Sequence, residues 1–153
     1  MSASPEDIIQ TRIRQVRAYM KDFPEYNRLL AREESTEEQI RLALDLTVND
    51  FQNSPPVVGT FAIETFPSME LLIMGSIVHL LQMEGLLQSR NRSTYNVAGV
   101  TFNVSDRTPE YQNWIANLKT MYEQKKTELK RFLNADDCYS GLPSEYGGLD
   151  LWY

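Results

Sequence analysis

The sequence predicts a mainly α-helical protein, a helical bundle with a short β-hairpin between the last two long helices and an extended C-terminal tail. Along most of the chain, apolar residues recur at steps of three and four, as on one helix face. Ser or Thr followed by Pro or acidic residues marks several helix starts. One β-prone stretch alternates apolar and polar residues around Gly99. We therefore predict a helical domain at 1–135, its hairpin at about 95–104, and a tail at 136–153.

The first helix is predicted by its start signal and by an apolar stripe. Ser4 precedes Pro5 and two acidic residues, an arrangement typical of a helix N-terminus. Pro24 is expected to end the helix. The apolar residues between these signals share one helix face: Ile9, Ile13, Val16, Met20 and Phe23.

The second helix is predicted by a capping box. Ser35 is expected to be the cap, with Glu38 reaching back to its backbone amide. Pro55 and Pro56 are expected to end the helix, because a residue before proline disfavours helical backbone angles. The predicted core stripe is Ile40, Ala43, Leu44, Thr47 and Phe51.

The third helix, from Met69 to about Gln88, is apolar on nearly every face, as expected of a helix that protein surrounds. The rest of the chain offers little other helix to cover it, so we expect another subunit to supply part of the cover. Four polar residues interrupt the apolar run before it reaches the ~20 residues of a membrane span, and no membrane partner is expected. They are Glu70, His79, Gln82 and Glu84.

The ribbon between the third and fourth helices is expected to contact a partner. An isolated two-stranded hairpin is marginally stable in water, so it needs a surface to lie on. The apolar residues expected to make that contact are Tyr95, Val97, Val100, Phe102 and Val104.

The longest helix is predicted to start at Thr108-Pro109-Glu110 and to run to about Asn134. The basic residues near its C-terminal end are expected to form a solvated face: Lys125, Lys126, Lys130 and Arg131. A broad apolar face is predicted from Tyr111, Trp114, Ile115, Leu118, Met121, Tyr122, Leu129, Phe132 and Leu133.

The tail from Asp136 onward combines glycine, proline and acidic residues with large apolar ones. Exposed aromatic side chains favour burial, so we expect the tail to dock on a surface, that of a neighbour in preference to its own domain. Its candidate contact residues are Tyr139, Leu142, Tyr146, Leu149, Leu151, Trp152 and Tyr153.

The charge balance limits the expected binding partners, and the single cysteine bears on the cellular compartment. The net charge is −6, from 15 Lys+Arg against 21 Asp+Glu, which disfavours tight binding to nucleic acid phosphates. One cysteine allows no intrachain disulfide, and the first residues show no secretory signal. A reducing cytoplasm is therefore the expected place of synthesis.

Few residues are suited to catalysis, and we predict no enzyme activity, no cofactor and no metal. His79 lies within the apolar helix, where a partnered core or interface histidine is the favoured interpretation. Cys138 follows two aspartates, which raise a thiol pKa and oppose reactivity. One His and one Cys exclude the usual structural zinc sites, and no phosphate-binding glycine motif is present.

The order of elements from about residue 36 to 153 resembles the head-to-tail connector, or neck adaptor, proteins of tailed bacteriophages. The stretch SRNRSTYNVAGVTFNVSDRTPEYQNWI, the helix ending MYEQKKTELKRFLN and the aromatic tail carry the resemblance. It implies a helical subunit of a ring, usually of about twelve copies, in the neck of the virion after assembly in the host cytoplasm. Implied partners are the portal protein, a tail-side neck protein and DNA in passage.

By the same resemblance, the tail from Cys138 to Tyr153 is an anchor in the portal or a neighbouring subunit. The hairpin is a contact with a neighbour or with the channel. Two alternatives remain. One is a helical interaction adaptor or regulatory domain that binds a partner through its tail, as a monomer or dimer. The other is an enzyme whose site gathers scattered acidic residues in a cleft.

Overall fold

The chain is mainly helical, as predicted. The computed structural model describes residues 4–27, 31–90, 94–97, 100–103 and 108–139. Within these ranges there are four helices: α1 (Pro5–Met20), α2 (Glu37–Asn53), α3 (Met69–Arg90) and α4 (Thr108–Tyr139). α3 packs against each of the other three helices and is the central element of the bundle.

Two short backbone segments pair between α3 and α4. β1 (Thr94–Val97) runs antiparallel to β2 (Val100–Asn103), with Tyr95 opposite Phe102. Residues 98–99, Val104 and the side chains of both segments lie outside the described part of the chain. The buried residues that the structure describes lie on helices and loops. The predicted contact of the hairpin with a partner stays a prediction.

α1 starts where the sequence predicted, whereas the end of α1 and the start of α2 differ from the predicted positions. Ser4 accepts a hydrogen bond from the Asp7 amide, and the Asp7 carboxylate accepts one from the Ser4 amide. α1 ends at Met20, because Lys21 adopts left-handed backbone angles (φ 55°). Phe23, predicted to belong to the stripe of this helix, therefore lies beyond it.

The capping box of α2 lies one residue later than predicted. Thr36 is the cap: its hydroxyl accepts from the Gln39 amide, and the Thr36 amide donates to the Gln39 side-chain oxygen at 2.7 Å. The Ser35 amide instead donates to the Asp22 carboxylate at 2.8 Å, and Ser35 is buried. Ser35 is thus used to join the α1–α2 connection to the body, which leaves the cap to Thr36.

The predicted stripes of the first two helices form much of the core. The buried residues on these faces are Ile9, Ile13 and Val16 of α1, and Ile40, Ala43, Leu44, Thr47 and Phe51 of α2. They meet α3 through buried side chains that include Leu71, Leu72, Ile77 and Leu80. Residues 57–62 are irregular, as predicted, and lead to buried Ile63.

α3 is covered by the chain over its first part and is open toward its end. Its N-terminal and middle residues are mostly buried, whereas Leu86 and Leu87 are exposed. Among the described residues, the stretch Met69–Leu87 is long and apolar enough to cross a membrane, by length and composition alone. The core helix of a water-soluble bundle passes the same test, and α3 supplies much of the core here.

α4 is longer than predicted. It continues to Tyr139, beyond the expected end near Asn134, and includes residues 136–139 of the predicted tail. No glycine or proline follows Pro109 until Gly141, so the sequence contains no strong helix breaker before that point. At 1.5 Å per residue the helix is about 48 Å long.

Candidate functional site

The outer face of α4 carries a row of large apolar side chains, which we call the apolar stripe. Its members are Trp114, Met121 and Phe132, whose exposed fractions are 63%, 48% and 66%. Their spacings of about two and three helical turns place them nearly in line over about 27 Å. Tyr122 and Lys126, by contrast, face inward. The sequence predicted one broad apolar face that included both Tyr122 and these three residues, whereas in the structure Tyr122 is buried and the three are exposed.

A groove lies beside one end of the apolar stripe, where α1, α3 and α4 meet. It has a volume of about 480 Å³. Its apolar lining includes Tyr19, Met20, Ile77, Leu81, Trp114 and Leu118, with Glu110 as a charged member. Tyr19 and Trp114 are exposed at this position, so the groove and the apolar stripe form a continuous candidate docking surface.

The inner face of α4 holds a buried polar cluster, which corrects the prediction that Lys126 and Lys130 lie on a solvated face. Lys126 is only 5% exposed; its Nζ lies 2.9 Å from the Asp50 Oδ2 and 2.8 Å from the Glu123 Oε2. The Tyr122 hydroxyl donates to the same Asp50 oxygen at 2.7 Å. One carboxylate of α2 therefore fixes two side chains of α4.

Lys130 is more buried than Lys126 and binds backbone just beyond the C-terminus of α2. It is 1% exposed and donates to the backbone carbonyls of Ser54 and Pro56, the latter at 3.0 Å. Its ammonium also lies 4.9 Å from the centre of the Phe51 ring. The carbonyls at a helix C-terminus carry partial negative charge, so this cation is well placed to satisfy them.

Burial and pairing act in opposite directions on the ionisation of this cluster. Burial alone would raise the pKa of Asp50, but hydrogen bonds from Lys126 and Tyr122 hold it below its ordinary value. Burial would lower the pKa of Lys126, but Glu123 and Asp50 raise it. Burial and the neighbouring Lys126 lower the pKa of Lys130, and burial with the Asp50 hydrogen bond raises that of Tyr122. The cluster is thus a charged, mutually paired anchor.

The geometry of the cluster is suited to fixing α4 against α2 and the segment that follows it. Asp50 and Lys126 bind each other, and Lys130 binds backbone carbonyls. Among the described residues, no group of three or more His, Cys, Asp or Glu side chains is placed to hold a metal ion. The sequence placed these cations near the C-terminal end of α4, but α4 continues to Tyr139 with no basic residue in its last turn. Their partners on and just after α2 are more than seventy residues away in the chain.

His79 is half-buried on α3 near this cluster. Burial lowers its pKa, although the charge of Asp50 and a hydrogen bond with Gln82 act in the opposite direction. The charges of Lys119 and Lys126 lower it further. The folded protein therefore favours the neutral imidazole more than the unfolded chain does.

We expect the protein to lose stability as the pH falls from about 7 to 5, in part through His79. The unfolded imidazole takes up a proton near pH 6.5, while the folded one resists it, so protonation favours unfolding. His79→Gln should flatten the stability profile in this window, measured by chemical denaturation at each pH. Glu84, whose pKa is raised mainly by burial, is present in both proteins and cancels in the difference. Parallel profiles would contradict the prediction.

The residues predicted to bind partners fall mostly outside the described part of the chain. Tyr139 is the last residue of α4, and its side chain is not among those described. The other predicted tail contacts, from Leu142 to Tyr153, lie outside the described residues, as does Val104 of the hairpin. The structure instead brings together surface residues that the sequence prediction missed as a site: the apolar stripe and the groove. For the apolar stripe, the feature of the sequence that could have indicated it is the spacing of seven and eleven residues between its members.

Comparison with protein-family models, with curated proteins and with solved structures finds no match to this chain. The functional proposals therefore depend on its own residues and geometry, together with the resemblance carried by its sequence.

Proposed function

We propose that the chain is a structural subunit of the head-to-tail connector of a tailed bacteriophage. Copies of it would form a ring that joins the portal vertex to the tail and leaves a channel for DNA. The observation that carries the proposal is the apolar stripe, Trp114, Met121 and Phe132, exposed along a long helix. The resemblance of residues 36–153 to phage neck adaptors is the reason for proposing a connector ring among the possible assemblies.

The apolar stripe supports self-assembly because of its residue types and its continuity. Aromatic residues and methionine are enriched in protein interfaces, and an extended exposed apolar patch on a soluble protein commonly marks one. Leu86 and Leu87 add exposed apolar surface on α3. Covering such side chains with a second subunit removes them from water, which favours association.

The buried cluster supports a mechanical role, because it fixes the helix that carries the stripe. Asp50 holds Lys126 and Tyr122, and Lys130 holds the end of α2. A ring closes only if the angle between successive subunits is constant, so the helix that presents the interface has to be rigidly held. The acidic net charge also suits a passage in which DNA slides without adhering.

A helical interaction adaptor or regulatory domain is the second candidate, and the groove favours it. An apolar groove between helices is a common site for a partner's peptide or helix. Such a protein would be a monomer or dimer when purified, whereas a connector subunit forms rings, at least together with its portal. The oligomeric state therefore separates the two candidates.

Polar replacement of the apolar stripe is expected to abolish assembly and leave folding intact. Trp114→Ser, Met121→Gln and Phe132→Ser change side chains that are about half or more exposed, so the free energy of unfolding of the subunit should change by no more than about 1.5 kcal/mol. Analytical ultracentrifugation, with and without the portal protein, measures the assembly.

The matched control changes exposed polar residues elsewhere on α4, Asn113→Ser and Gln124→Ser, and should assemble as the natural chain does. Normal rings from the triple variant would show that the apolar stripe is not the interface. That result would remove the main support for the connector.

A further inference from the structure

The groove between α1, α3 and α4 is an apolar site whose occupant can be argued from the length of the chain. Its lining is contributed by three helices, and the exposed Tyr19 and Trp114 belong to it. Since Glu110 is a charged member of the lining, an acidic segment would gain nothing from charge here. Binding in the groove has to come from burial of apolar side chains.

The segment Leu149–Tyr153 has the composition that such a groove requires. Four of its five residues are large and apolar, and the fifth is Asp150. In an extended peptide, alternate residues face the same side, so Leu149, Leu151 and Tyr153 would enter an apolar groove together. Asp150 would then face away from the groove, toward water.

The distance along α4 decides whether the groove of the same chain or of another copy receives this segment. From Tyr139 back to Leu118 and Trp114, the helix extends about 32 to 38 Å. The 14 residues from 140 to 153 would have to be almost fully extended to cover that distance and place Leu149–Tyr153 in the groove. A flexible chain of this length has a root-mean-square span of only about 19–22 Å. Docking within one chain therefore requires an almost fully extended connection, whereas a neighbouring copy already held in the proposed ring can present its segment without that stretch.

We propose that the groove of one copy binds the Leu149–Tyr153 segment of a second copy of the chain. This inference rests on the proposed function, because it names a contact by which one subunit holds the next. Trp114 belongs to both the groove and the apolar stripe, so the segment would also cover one end of the stripe. The contact repeats from subunit to subunit, head to tail, as a closed ring requires.

Disulfide trapping in the full chain tests this contact. In a Cys138→Ser background, Tyr19→Cys places a thiol at the groove and Leu151→Cys places one in the segment. We expect crosslinks between chains, seen as covalent dimers and longer ladders on non-reducing gels, with the joined peptides identified by mass spectrometry. Because Tyr19 is exposed, its replacement leaves the core unchanged.

Val57→Cys paired with Leu151→Cys is the matched control. Val57 is exposed in the α2–α3 connection, near the part of α4 that contains Lys130, so the segment of the same chain reaches it more easily than the groove. We expect the yield of crosslinks between chains at Tyr19→Cys to exceed that at Val57→Cys by about tenfold or more, because binding raises the concentration of the second copy's segment at the groove. Adding Tyr153→Ala, which truncates a side chain that enters the groove, should reduce the Tyr19→Cys yield to the control level.

Three results would overturn the proposal. Crosslinks confined to single chains would place the segment in its own groove. Equal yields of interchain crosslinks at the two positions, or a yield that Tyr153→Ala leaves unchanged, would show that the groove does not bind the segment. A different result separates the two proposals: crosslinks between chains in a protein that is absent from virions would contradict the connector function and would still establish this contact.

Discussion

Replacing Asp50 with alanine is expected to lower the free energy of unfolding by about 2–3 kcal/mol. The change removes the carboxylate that binds Lys126, which is 5% exposed, and the Tyr122 hydroxyl. The buried ammonium keeps Glu123 as a partner but loses its contact with α2. Breaking a fully buried pair costs about 3–5 kcal/mol; the smaller figure follows because 38% of the Asp50 side chain is exposed.

Asp45→Ala is the control, because it lies on the same helix, is exposed and gains the same helix propensity. It should change stability by no more than about 0.5 kcal/mol. The double variant Asp50→Ala with Lys126→Met should recover most of the loss, since no buried charge is left unpaired. Urea denaturation at pH 7 measures all of these. Equal stabilities for Asp50→Ala and Asp45→Ala would show that the cluster does not anchor α4.

Replacing Gly75 with alanine is the second large effect, with an expected loss of about 2 kcal/mol. A Cβ at this position would lie 2.8 Å from the Tyr122 ring and closer still to the Thr47 methyl group. Gly75 is therefore a point of close approach of both α2 and α4 to α3. Alanine gains about 1 kcal/mol of helix propensity over glycine, which offsets only part of the cost of overpacking.

Gly85→Ala, on the same helix, should have the opposite sign. Its Cβ would meet Tyr111 and Ile115 at 3.7 and 3.8 Å, which are ordinary contact distances. We expect a gain of about 0.5–1 kcal/mol from helix propensity. Thr47→Ser removes the clashing methyl group and keeps the hydroxyl, so it should partly rescue Gly75→Ala. If both glycine variants gained stability in thermal unfolding, the three-helix junction would be looser than described.

These two sites bear on the proposed assembly because they set the position of α4. The Gly75 contact fixes how closely α4 approaches α3, and the Asp50 and Lys130 contacts fix its register against α2. The apolar stripe lies on the same helix, on a different face. A variant that loosens either contact while still folding should therefore assemble less regularly than the natural chain.

Local patterns in the sequence were enough to predict most of the helical fold. The Ser4 cap depends on residues within one helical turn, and the stripes of α1 and α2 follow from a single period. The capping box was misplaced by one residue, because Ser35 pairs with Asp22, thirteen positions earlier. The end of α4 was misplaced because the change in composition at Asp136 precedes the first helix breaker, Gly141.

The candidate site was less predictable, because it depends on contacts between distant segments. A lysine near the end of a helix usually faces water, and nothing local to Lys130 shows that the carbonyls of Ser54 and Pro56 lie within reach. The apolar residues of α4 exceed one packing face, but the sequence alone does not show which of them the other helices leave uncovered. Trp114 and Phe132 are therefore known as surface residues only from the fold.

Locating the chain in phage particles tests the proposed connector most directly. Gold labelling of a tagged copy, combined with quantitative mass spectrometry of purified virions, gives both its position and its copy number. The proposal predicts label confined to the junction of head and tail, with a copy number near that of a ring of about twelve subunits. A chain that purifies as a stable monomer and is absent from the particles would contradict it.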